Sequence, residues 1–480
     1  MSDSQNAQPA QPPLANSASI GGSLLMRRDV VGWSLYDFAN TIFSMNIVSR
    51  YFKPWVVEDL GRPGYTFDFS VALSMLAVAL VSPALGVMSD QAGGKKRYLL
   101  IFTLGCVFSI AIFSSLPVSM FALIILFFAL SNFFYEGGMV FYNSLLYSVV
   151  DTDKQARYIS GFGVALGYVG AIAGLAFVLP FVEGDLFGLE VPFLEGSGRA
   201  GAYLPTAALF LIFALPLFLF VKERTKFAPQ QAESLEKVSF KAVSQKKVSL
   251  KEAYKLVWST LAETERFPGL LKFLVADFLI KNAITAVIIN IGVFCLFVIG
   301  FNDTQTTVFL MIVTVAAVAG SFVLGRVAVF VSLEKMIVAV GLGWIVCLAL
   351  LGMANQEWAY WALSAIAGIC LGGVWTLHRP YLGEFAPPDE RGRFFGLYSL
   401  TGKGAAVVGP LWWALFFWLF STSGPLGPVV SSALGLSEAL QTQLPYRVSV
   451  ASLALLVALG LVFFLKAARE RNQALRKNQI

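Results

Sequence analysis

"GVMSDQAGGKKR", residues 86–97, joins two apolar runs of the chain, at about 67–89 and 98–116. Its last three residues, Lys95, Lys96 and Arg97, mark a short loop held on the cytoplasmic side of a membrane, where the Lys and Arg of such loops collect. Gly86 leaves room for one helix to lie close against another, and Asp90 can accept hydrogen bonds or meet the positive N-terminus of a helix. The stretch therefore reads as a connection between two spanning helices, with a defined inner face and a helix contact of its own.

Composition excludes a soluble fold. Of 480 residues, 57% are hydrophobic and 13% charged, and mean hydropathy is +0.71, outside the range of ordinary globular domains. A bilayer core of about 30 Å needs roughly 20 apolar residues in a helix. Twelve runs qualify, at about 30–54, 67–89, 98–116, 119–147, 158–181, 202–222, 269–297, 304–330, 336–353, 357–385, 394–420 and 445–466. Arg27, Arg28, Lys154, Arg157, Lys335, Arg391 and Arg393 fall in the same set of alternate connections as residues 95–97, while the opposite loops hold little beyond Arg62 and Arg199. Both termini are accordingly expected in the cytoplasm. The net charge of +6 then follows from loop placement and calls for no nucleic-acid partner. Cys106, Cys295, Cys347 and Cys370 lie inside apolar runs without ligand spacing and read as small packing residues.

These runs divide the chain into a disordered tail (1–29), a six-helix bundle (30–222), a cytoplasmic connection (223–268), a second six-helix bundle (269–466) and a second cytoplasmic tail (467–480). The first tail shows no secretory signal. In the connection, Ser249 and Glu252 form a capping box ahead of apolar residues at helical spacing, which suits either an amphipathic helix on the membrane surface or a solvated linker helix. The halves echo one another. "EGGMVFYNS" at 136–144 aligns with "LGGVWTLHR" at 371–379, and at the same offset Gly161, Gly167 and Gly174 fall on Gly396, Gly402 and Gly409. Such parallel repeats are a known architecture of transporters.

Charged groups near the bilayer centre cost about 2.5–3.5 kcal/mol each, so they persist where they meet a partner or a wet cavity. The candidates are Asp37, Glu136, Asp277, Lys281, His378, Arg379 and Lys403. Asp37, Asn40 and Thr41 share one side of a helix, as do Asp277 and Lys281, while Asn143 extends the polar side that carries Glu136. Two uses fit these residues: ion pairs that only hold helices together, or the lining of a solute pathway.

The loop at 86–97 resembles the signature of the major facilitator superfamily, Gly-x-x-x-Asp-x-x-Gly followed by basic residues, matched by Gly86, Asp90, Gly93, Lys95 and Lys96. One extra residue, Gly94, precedes the basic cluster, and the second-half counterpart has Val329 where the aspartate would stand. "YDFANTIF" at 36–43, "YNSLLYSVVDTDKQARYISGFGVALGYVG" at 142–170 and "HRPYLGEFAPPDERGRFFGLYSLTGKGAAVVGP" at 378–410 are similar to the branch that holds the autophagy-related vacuolar amino-acid effluxers and many uncharacterised bacterial proteins. His378 departs from the small polar residue expected before the arginine.

The resemblance implies an all-α membrane protein with twelve transmembrane helices in two pseudo-symmetric bundles, placed in a bacterial inner membrane, and secondary transport through a cavity lined by the first, fourth, seventh and tenth helices. Six of the seven ionisable groups above fall on those four. The expected solute is small and polar or zwitterionic, an amino acid or short peptide, bound among Asp37, Asn40, Thr41, Glu136, Asn143, Asp277, Lys281, Arg379 and Lys403. Arg379, supported by Lys403, suits a carboxylate. Asp37 and Glu136 are candidates for a coupling proton, with sodium as the alternative ion. Residues Gly86, Asp90, Gly93, Lys95, Lys96 and Arg97 would act in the conformational change. A monomer in contact with lipid is expected, without cofactor, metal or nucleic acid. Two other readings stay open: an exporter of hydrophobic compounds or lipids, and a non-transporting receptor or scaffold. With one histidine, no metal-ligand cluster and no phosphate-cradling glycine loop, neither an enzyme nor an ATP-driven pump is expected.

Overall fold

The computed structural model describes residues 24–62, 65–92, 94–186, 189–190, 196–223, 267–301, 303–388 and 390–477. Gly93, Ser249 and Glu252 lie outside the described residues, as does nearly all of the 223–268 connection.

Apolar runs become helices here because, in lipid, a spanning backbone must satisfy its own hydrogen bonds. The first half comprises α1 (Arg28–Phe43, prolonged by wide π-helical turns over Ser44–Tyr51 and Trp55–Asp59), α2 (Tyr65–Ala92), α3 (Lys95–Ser115), α4 (Phe121–Val149), α5 (Asp153–Glu183) and α6 (Tyr203–Phe220). The second comprises α7 (Leu270–Phe294), α8 (Asp303–Val327), α9 (Leu333–Met353), α10 (Glu357–Gly383), α11 (Arg391–Phe420) and α12 (Glu438–Lys477). Eleven of these segments are unbroken helices long and apolar enough to cross a membrane; α1, interrupted by its wide turns, is the twelfth. A two-residue hairpin, β1 (Asp185–Leu186) with β2 (Leu189–Glu190), lies between α5 and α6, and a short helix, Gly427–Leu434, lies between α11 and α12.

Helix bounds follow the apolar runs closely except at the end. The run expected over 445–466 is a helix from Glu438 to Lys477. Apolarity ends with the lipid, but the helix does not, because Arg471 meets Glu384 at 2.6 Å and Glu334 at 3.1 Å.

The packing repeats with a period of six helices. α1 packs on α5 and α6, α2 on α4, and α3 on α4 and α6; α7 packs on α11 and α12, α8 on α10, and α9 on α10 and α12. Contacts between the halves repeat too: α2 and α4 meet α11, as α8 and α10 meet α5. Lipid offers little hydrophobic drive between helices, so close approach at small residues carries the association. A Cβ on Gly174 would stand 2.9 Å from the Ile42 side chain, and one on Gly409 would stand 2.5 Å from the Asn282 carbonyl, so both members of that glycine pair serve the equivalent α5–α1 and α11–α7 contacts. Aromatic rings fill the first bundle away from the basic loops, where Phe52 stacks on Phe128 with centroids 4.0 Å apart. The four cysteines are buried and free.

Candidate functional site

The polar faces of α1, α4, α7, α10 and α11 converge on a cavity of about 350 Å³ between the bundles. Asp37 and Thr41 reach it from α1, Glu136 and Asn143 from α4, Lys281 from α7, Arg379 from α10 and Lys403 from α11. Seven of the nine residues expected to bind solute therefore share one wall. Asn40 and Asp277 do not line it. Asn40 turns its amide nitrogen to Met139 Sδ at 3.1 Å, and Asp277 is wholly buried behind the cavity.

Glycines seat the α1 groups. A Cβ on Gly163 would lie 2.7 Å from the Trp33 ring and 3.2 Å from Asp37 Oδ2, so α5 must be bare there for Asp37 to face the cavity. Thr41 donates its hydroxyl to the Asp37 carbonyl at 2.9 Å, which returns a polar group to its own helix.

Two ion pairs cross the cavity from one bundle to the other. Arg379 Nη1 stands 3.6 Å from Asp37 Oδ2, and Lys403 Nζ meets Glu136 Oε2. The first is attractive but too long for a hydrogen bond. Arg379 is held instead by rings: its guanidinium lies 5.4 Å from the Trp33 centroid and 5.5 Å from that of Tyr142, and those two rings stack at 4.7 Å. Arg379 Nη1, Asp37 Oδ2, Asn143 Oδ1, Tyr142 OH and Ser399 Oγ are buried without hydrogen-bond partners. Buried polar atoms are nearly always paired, and each left open costs about 1–3 kcal/mol. Several such atoms stand together around the Asp37–Arg379 pair.

Sequence reasoning listed the charges and Tyr135 beside Glu136, and missed three further rings. Tyr168, Trp375 and Tyr398 also line the cavity. Trp375 lies one turn before Arg379, and Trp33 one turn before Asp37, so extending each charged position by four residues along its helix face would have found both.

At the end carrying the basic loops, the halves are fastened together. Asp90 accepts from the backbone N–H groups of Gly392 at 2.9 Å and Arg393 at 2.7 Å, capping the N-terminus of α11, and also meets Lys95 Nζ at 2.8 Å. Gly86 permits this, since a Cβ there would fall 2.1 Å from the Gly392 carbonyl. Gly94 turns the chain at φ +88°, where only glycine is comfortable. The N–H groups of Lys95 and Lys96 that open α3 donate to the Glu223 carboxylate at 2.9 and 2.6 Å, a partner the loop alone does not disclose.

On the pseudo-symmetric side, where Val329 replaces the aspartate, Arg157 does the joining. It reaches Glu384 at 2.6 Å and the Ala328 carbonyl at 3.1 Å. Pro380 has no N–H, which frees the Thr376 carbonyl four residues earlier, and Ser160 of α5 donates to it at 3.0 Å.

The family model described as "Vacuole effluxer Atg22 like" matches residues 65–417. An uncharacterised MFS-type transporter of Bacillus subtilis, YxiO, is 24% identical over 388 residues, covering 79% of this chain and 86% of that protein. Autophagy-related protein 22-1 of Neosartorya fischeri is 26% identical over 280 residues, 54% of this chain and 43% of that longer protein. Among solved structures, the human organic anion transporter MFSD10 superposes with a TM-score of 0.64 at 13% identity, over 95% of this chain and 100% of that one.

Proposed function

Since the chain belongs to the vacuole effluxer Atg22-like family of the major facilitator superfamily, we propose that it is a secondary active transporter of a small polar or zwitterionic solute, an amino acid or short peptide, working by proton-coupled alternating access of its two halves. The observation that carries this reading is the set of unpartnered buried atoms around Asp37 and Arg379, which offers an anion acceptor and a cation acceptor 3.6 Å apart. An α-amino acid presents the matching pair of charges. A cavity of about 350 Å³ is near the small end of ligand sites, roughly 300–1,000 Å³, which favours one compact solute. Five charged side chains on its wall disfavour a hydrophobic cargo, since each would lose its hydration to an apolar guest.

The basic end faces the cytoplasm in this reading, and the fastening there by Asp90 and Arg157 closes the cavity to that side. Asp37 and Glu136 each attract a cation on the other bundle. A proton on either carboxylate cancels that attraction, which ties proton binding to bundle separation. In proteoliposomes with an imposed proton gradient, the wild-type chain is expected to drive uptake of a labelled amino-acid mixture, and Asp37→Asn and Glu136→Gln to remove gradient dependence. Normal gradient-driven flux in both variants, or drive by sodium alone, would overturn the proton role.

A further inference from the structure

Asp277 takes its contacts from three helices. His378 Nδ1 of α10 lies 2.8 Å from Oδ1, Thr401 of α11 donates to Oδ2 at 2.5 Å, and Lys281 Nζ, one turn along α7, lies 2.8 Å from Oδ2. His378 is the single histidine of the sequence, buried under the Phe273 ring at 5.9 Å between centroids. Lys281, by contrast, reaches the cavity wall, with its ammonium 3.4 Å above the Tyr398 ring and 5.4 Å from that of Trp375. One carboxylate is thus shared between a fixed cation that can face a solute and an imidazole whose charge depends on a proton.

We propose that the Asp277–His378 pair carries a proton whose arrival releases Lys281 toward an anionic group of the solute. The idea rests on the transport reading above. A proton added to the imidazole gives Asp277 a second cation, divides its attraction and weakens the Lys281 pair. When the proton leaves, Lys281 returns to Asp277 and the solute loses a partner. The other groups facing the pair are Arg379, next along α10, and Tyr398 and Lys403 of α11, the two cations opposing further positive charge. On α12, Arg471 is engaged with Glu384 and Glu334.

Coupling of this kind is reciprocal. If protonating His378 loosens Lys281, then removing the Lys281 charge must make His378 easier to protonate. Because the chain has one histidine, the full-length protein labelled with ¹³C,¹⁵N-histidine in lipid nanodiscs gives one ring signal to follow, with no solute required. The expected result is a single titration step across the range in which the protein stays folded, moved to higher pH by Lys281→Met and to lower pH by Asp277→Asn, each by about one unit or more. A ring that keeps one charge state throughout, or a step that Lys281→Met leaves in place or lowers, overturns the proposal. Should Asp277→Asn fail to fold, the wild-type and Lys281→Met titrations decide the matter alone. Failure here leaves proteoliposome flux untouched, and absent flux leaves the titration standing, so the two readings fail separately.

Discussion

Arg379→Met is expected to abolish solute flux and to lower the stability of the folded chain by about 3–5 kcal/mol, the usual cost of leaving one partner of a buried ion pair uncompensated. The stranded group is Asp37, whose side chain is 9% exposed against 7% for Arg379. Asp37→Asn combined with Arg379→Met removes both charges, so most of the lost stability should return. Flux should not, because the solute still lacks its carboxylate partner. Arg379→Lys keeps the charge but loses the planar fork and its seat against the stacked Trp33 and Tyr142 rings; it is expected to fold and to transport weakly. Thermal unfolding and proteoliposome flux, measured on the same four chains, separate a brace between helices from a binding group. Wild-type flux in the double variant would reduce Arg379 to a brace.

Asp90→Ala should have the largest effect on conformation. Asp90 holds two backbone N–H groups of α11 and the Lys95 ammonium, and an N-cap alone contributes about 0.5–2 kcal/mol. A loss of about 2 kcal/mol moves a two-state population by roughly thirtyfold. Because these bonds join the bundles only while the basic end is closed, the whole loss falls on that state. Spin labels on the basic ends of α2 and α11 are expected to show a longer distance populated in Asp90→Ala, with Asp90→Asn between it and wild type. Unchanged distances would mean that Gly86 packing and Arg157 close that end by themselves.

The twelve helices were legible because hydrophobic length is a property of the sequence alone, and the duplication because its glycines recur at one offset. The ionisable residues were legible for a similar reason: a charge in an apolar run is conspicuous. Which of them face solute was not. Asp37 and Asp277 occupy similar depths on α1 and α7, yet one meets the cavity and the other is enclosed by His378, Thr401 and Lys281. That difference depends on what α10 and α11 place behind each carboxylate, which no single helix pattern contains. Neutral rings such as Tyr168 and Tyr398 carry no cost signal in lipid, so they pass for packing until the helices are assembled. The same holds for Glu223 and Glu384, terminal residues whose partners lie on helices distant in sequence.

The central claim, one shared cavity opened to alternate sides, is tested most directly by a cysteine placed in it. Ser44 lines the cavity and is half-buried, and the four native cysteines are buried, so Ser44→Cys should supply the one thiol that a membrane-impermeant reagent can reach in oriented vesicles. The account predicts labelling from the side opposite the basic loops, and a gain of labelling from the basic side when Asp90→Ala is added. A thiol unreactive from both sides, or reached equally from both with Asp90 intact, would contradict it.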